Sequence, residues 1–158
     1  MVTRTATVEV ERTISVASQA LGVIEVPCDD VITFVEPLAG FPGSTRYALL
    51  PHVRQDGQED AAICWLQSID EPHHAFVVTD PWGVVPDYAP EISDAEAEQL
   101  GLVSFEDARL FGILTVPGDP RELTINLRAP VVVNARTRTG KQVVLVGETY
   151  DTRHRLAR

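Results

Sequence analysis

The sequence predicts a mainly β protein, a small open β-barrel-like antiparallel sheet with one short helix. Two observations carry most of that prediction: apolar residues recur with period two along nearly the whole chain, and each run is bounded by Gly, Pro, Asp or Asn. A third sets the helix apart, because only SDAEAEQLG, residues 93–101, joins helix formers to a cap at each end. At 158 residues, 44% hydrophobic and 23% charged, the chain has the length and balance of one folded domain, expected to span 1–158.

Taken in order, strands are expected at 21–26, 31–35, 46–50, 62–69, 75–79, 108–116, 122–134 and 142–146. In 62–69 one face reads Ala62, Cys64, Leu66, Ser68 and the other Ile63, Trp65, Gln67, Ile69. Both are largely apolar, which fits a central strand covered on two sides. Pro130 has no N–H for a ladder and should mark a bulge or edge in the longest strand, and Gly112 should bend the strand before it. Bends of this kind let a sheet curl toward a barrel. The amides Asn126, Asn134 and Gln142, set in or beside apolar strands, are expected to satisfy backbone groups that such bulges free. Residues 52–60 (HVRQDGQED) should form a mobile polar loop. Ser93 as N-cap with Glu96 three residues on, and Gly101 as the stop, give a helix of about two turns.

Charge is distributed unevenly. Residues 1–127 hold 21 Asp or Glu against 6 Arg, while residues 128–158 hold 7 Lys or Arg against Glu148 and Asp151. An acidic body repels phosphate backbones and attracts basic partners, so direct nucleic-acid binding is not expected. The basic residues Arg136, Arg138, Lys141 and Arg153 to Arg158 are expected to pair with the chain's own carboxylates. No apolar run reaches the length of a membrane span and no signal core precedes the first strand, so the expected location is the cytoplasm. Cys28 and Cys64, far apart in apolar surroundings, read as reduced, buried thiols.

LQSIDEPHHAFVVTDPW, residues 66–82, is the segment with the residue types of a site. Pro72 stands at the second position of a turn, which places His73 and His74 in a hairpin loop. Neighbours in extended chain point to opposite sides, and no HxxxH or CxxC spacing completes a ligand set, so no metal site is expected. Ser68, Asp70 and His73 have triad chemistry without the GxSxG context, and a hydrolytic or small-molecule-binding barrel using them is the rival reading. Gly140-Lys141 lacks the first glycine and the Ser or Thr of a phosphate loop, and no cofactor is expected. Asp70, Glu71, Asp80, Asp87 and Tyr88 gather acidic and aromatic groups at bends, which suits a protein-binding surface. The alternative for Trp82 and Tyr88 is a cap over the barrel's end, and the residues alone leave both open.

The segments LAGF (38–41), YALLP (47–51), LQSIDEP (66–72), AFVVTDPW (75–82), PDY (86–88), ISDAEAEQLGL (92–102), TINLRAPVVVN (124–134), GKQVVL (140–145) and YDTRHRL (150–156) together resemble the flagellar assembly factor FliW family, in its order and spacing. The resemblance covers about 20–157, leaving residues 1–18 as an N-terminal extension and 19–158 as the family core. It implies a non-enzymatic, cytoplasmic protein, monomeric until bound, with two partners. One is CsrA, a basic RNA-binding repressor of flagellin mRNA; the other is flagellin. Bound to flagellin, a FliW protein is unavailable to CsrA; once flagellin is exported, free FliW removes CsrA from the message.

Overall fold

The period-two segments form strands and the capped segment forms a helix. The structure, a computed structural model, describes residues 12–156, and residues 1–11 of the expected extension lie outside the described part. β1 (Thr13–Ser18) and β2 (Gly22–Pro27) make a separate hairpin. β3 (Ile32–Phe34), β4 (Arg46–Val53), β5 (Glu59–Ser68), β6 (Ala75–Thr79), β7 (Ala108–Thr115), β8 (Thr124–Asn134), β9 (Thr139–Gln142) and β10 (His154–Arg155) share one sheet, and α1 (Asp94–Gln99) lies between β6 and β7 in sequence. The sheet order is β10-β8-β7-β6-β5-β4-β3-β9, and β9 also pairs with β8. The sheet expected to be open is therefore closed into a barrel running from β3 to β9.

Closure depends on a bend in β8. Phe111 faces Val131, but Ile113 faces Asn126, so residues 127–130 leave the ladder opposite Gly112. Pro130 and Gly112 act as expected. Asn126 Oδ1 accepts from the amides of Arg128 (3.1 Å) and Ala129 (2.9 Å) inside the bulge. The bend turns Val131 to Asn134 onto β9, and β9 then meets β3 in the one parallel pairing among the described strands, Thr33 with Thr139 and Phe34 with Gly140. A Cβ at Gly140 would stand 3.1 Å from Ile32 Cγ2 and from Phe34 Cε1, so the bare backbone lets these two side chains pack tightly at the seam. The other two amides also serve backbone groups: Asn134 bonds Leu100 O, Gly101 O and the amides of Arg136 and Thr137, and Gln142 Nε2 donates to Ala129 O.

Two apolar layers share β8. Inside the barrel lie Ile32, Phe34, Tyr47, Leu66, Val78, Phe111, Val131 and Val133. Outside it, α1 and the C-terminal segment cover Leu110, Leu114, Ile125, Leu127 and Val132 with Tyr88, Leu100, Val143 and Leu145. The run of six consecutive buried residues, Ala129 to Asn134, ends in this doubly covered stretch. The β1–β2 hairpin covers a third cluster, Val16, Val26, Ala48 and Ile69, on the outer face of β4 and β5. β5 is thus covered on both sides from Leu66 onward, as its two apolar faces predict.

α1 starts at Ser93, whose hydroxyl accepts from the Glu96 amide (3.2 Å) and donates to its carboxylate (2.9 Å). It ends with Gly101 at φ 68°, where Gly101 N–H reaches Glu98 O and Leu102 N–H reaches Ala97 O, a Schellman stop.

Four expectations change. Residues 52–60 are not a loose loop, because β4 and β5 continue into a tight turn in which Arg54 N–H donates to Gln58 O (2.8 Å). The strand expected at 142–146 is formed by Thr139–Gln142. Beyond it Val143 and Leu145 still donate to Pro130 O and Arg128 O, and their burial alternates with exposed Val144 and Val146. Cys28 is exposed at the start of a 3₁₀ turn rather than buried, while half-buried Cys64 has its thiol pushed up by burial; both are free. β1 and the two-residue β10 form where the sequence pattern predicts no strand. Among the described residues no helix is long and apolar enough to cross a membrane.

Candidate functional site

The expected contact residues fall at the two ends of β6, separated by roughly 17 Å of strand at about 3.3 Å per residue. At the first end the chain leaves β5 and turns through residues 71–74, with His74 N–H donating to Glu71 O at 2.9 Å. Pro72 fits the turn's second position. Polar groups from four segments fix this turn. Buried Gln67 donates from Nε2 to Ser68 O, Pro72 O and His74 O and accepts from Ser18 of the outer hairpin at 2.6 Å. Buried Ser68 Oγ meets Ser44 Oγ at 2.5 Å and accepts from the Glu71 amide at 2.9 Å. Asp70 accepts from the amides of Thr45 and Arg46 at 2.9 Å and from the Arg46 guanidinium at 2.8 Å. Burial works against its charge, but those donors outweigh it and hold the carboxyl below its ordinary value.

The rival reading and one premise fail here. Ser68 is fully buried with its hydroxyl engaged by Ser44 and Glu71, Asp70 is held by Arg46, and His73 is exposed, so the three do not form a triad. The premise against a metal site also fails, because the two histidines sit in a turn rather than in extended chain. Their ring centroids are 4.0 Å apart, and Glu71, His73 and His74 each present a ligand-type atom, all within 4.8 Å of one another. Sequence spacing could not show this, since turn geometry decides it.

At the second end Asp80 and Asp87 are exposed and Tyr88 is not. Asp80 accepts from Trp82 N–H (2.9 Å), capping the 3₁₀ turn Pro81–Gly83. Tyr88 is 4% exposed, donates its hydroxyl to Leu127 O at 2.6 Å and packs edge-on to Trp82 and Tyr150. Burial, with Tyr150 adding to it, pushes its hydroxyl far above the ordinary tyrosine value. Tyr88 thus belongs to the aromatic cap and not to an exposed contact surface. A cavity of about 470 Å³ beside this cap is lined by Glu91, Ile92, Ser93, Leu145, Thr149 and Tyr150. It shares no residue with Ser68, Asp70 or His73. Three of the basic residues find carboxylates of the same chain, as expected: Arg136 with Asp107, Arg138 with Asp30, and Lys141 with Glu36 and Glu96.

The chain matches the FliW protein family over residues 15–156. It belongs to the FliW family. Among curated relatives named flagellar assembly factor FliW, the protein of Geobacillus kaustophilus is 38% identical over 89% of this chain and 94% of its own length. That of Thermotoga neapolitana is 36% identical over 90% and 93%. That of Bdellovibrio bacteriovorus is 38% identical over 82% and 71%. A crystal structure of the flagellar assembly factor FliW superposes with a TM-score of 0.80 at 34% identity, over 92% of this chain and 98% of that one. The FliW match begins inside β1, so the outer hairpin falls largely within the matched region.

Proposed function

We propose that this flagellar assembly factor is a non-enzymatic cytoplasmic regulator that holds one of two protein partners at a time, CsrA or flagellin. The observation that carries the reading is the family match along nearly the whole chain. The formal net charge of −10 supports it, because a repressor that grips RNA is basic and is drawn to an acidic surface. Free flagellin would set how much of the factor is left for CsrA, by mass action and without chemistry on either partner. Of the acidic residues, Asp80 and Asp87 are the exposed candidates for contact, Glu71 is half-buried, and Asp70 shapes the surface through Arg46.

The test is calorimetric titration with CsrA at low and high salt, with and without flagellin monomer. Binding that weakens with salt and disappears when flagellin is present supports the switch. Failure to bind CsrA under every condition refutes that half of the proposal.

A further inference from the structure

We infer that Glu71, His73 and His74 form a binding site for one divalent transition-metal ion of the zinc class. His74 Nδ1 is buried and has no hydrogen-bond partner, although Glu71 Oε2 lies 2.8 Å away. The two atoms stand close without hydrogen-bond alignment, as two ligands of one ion can, and the adjacent His73 ring supplies a third donor. Two imidazoles and one carboxylate suit zinc, nickel or copper rather than calcium or magnesium, which take oxygen donors.

The surroundings hold two of the three groups in place. The Glu71 carboxylate occupies the space a Cβ would take at Gly43, and its backbone amide is fixed by Ser68. The His74 ring stands edge-on to Phe41 with centroids 4.7 Å apart. His73 is exposed and free to rotate. Bonds of about 2.0–2.2 Å to a tetrahedral ion put ligand atoms roughly 3.4 Å apart, so the 2.8 Å Glu71–His74 pair opens by about 0.6 Å, His73 closes by up to about 1.4 Å, and a water completes the set. The acidic body raises the local concentration of cations.

The experiment is titration of the chelator-stripped full chain with Zn²⁺ against a chromophoric competitor, and with Co²⁺ followed by visible absorption. One ion per chain is expected, bound in the micromolar range, with a cobalt spectrum of nitrogen and oxygen ligation. His73→Ala, at an exposed position that leaves the fold intact, is expected to weaken binding about tenfold or more, as are His74→Ala and Glu71→Gln. His52→Ala, near the end of β4, is expected to change nothing. Stoichiometric binding unaltered by His73→Ala overturns the assignment, and so does the lack of binding tighter than millimolar.

Discussion

At one end of β6 the side chains of Gln67, Ser68 and Asp70 are all turned toward other parts of the same chain, whereas at the other Asp80 and Asp87 face solvent around a buried aromatic cap. Both ends read alike in sequence, as acidic residues and rings at a bend. They differ because the first bend must join three layers, the barrel, the outer hairpin and the 41–46 segment, and each junction leaves backbone groups to satisfy. The second bend covers apolar surface with rings, and of its carboxylates Asp80 caps one turn while Asp87 stays exposed. Acidic composition at a turn therefore marks a partner surface best where backbone donors nearby do not already occupy the charge, which sets Asp87 ahead of Asp80.

Four substitutions would break or sharpen this contrast. Tyr88→Ala should have the largest effect, a loss of about 3–5 kcal/mol in chemical denaturation, since it empties the cap; a loss under about 1 kcal/mol would return Tyr88 to the surface. Gln67→Ala should cost about 2 kcal/mol by leaving turn carbonyls short of a donor, read by the same denaturation curves. Tyr88→Phe keeps the ring and should cost about 1 kcal/mol. It also carries a pH signature. A hydroxyl with a raised folded-state pKa contributes fully below the ordinary tyrosine value of about 10, and the contribution falls as pH climbs from there toward the folded value. Thermal unfolding from pH 8 to 11 should thus show a shallower alkaline decline in Tyr88→Phe than in the parent, with buried Tyr47, also raised by burial, accounting for part of what remains. Asp87→Lys should leave stability within about 0.5 kcal/mol yet weaken CsrA binding and flatten its salt dependence. Unchanged binding would remove the second bend from the contact surface.

Local chemistry was legible in the sequence. Ser93, Glu96 and Gly101 predicted the helix and both its caps, Ala75 to Thr79 was placed to the residue, and Pro130 with Asn126 predicted the bulge and what satisfies it. Long-range pairing was not. Nothing near Thr33 says that it will meet Thr139, and the tight packing at Gly140 matters only once Ile32 and Phe34 are adjacent. The last strand was misplaced for a related reason: Val143 to Val146 alternates like a strand, but the β8 bulge ends the regular ladder at Gln142. At the candidate site, a period-two argument set His73 and His74 apart, and the turn that Pro72 initiates put them together. The burial of Tyr88 depended on Leu127 and Tyr150, distant partners with no mark in the local pattern.

The parallel pairing of β3 with β9 also bears on when the protein becomes usable during its own synthesis. One side of the seam is made early and waits for a partner near the other end of the chain, so the barrel cannot close on the ribosome until residues beyond 142 have emerged. A chain that stops short of β9 leaves β3 with a bare edge and a row of unpaired amides, the kind of edge that invites aggregation. A chain cut there has no closed barrel, so the fold belongs only to chains carried through β9.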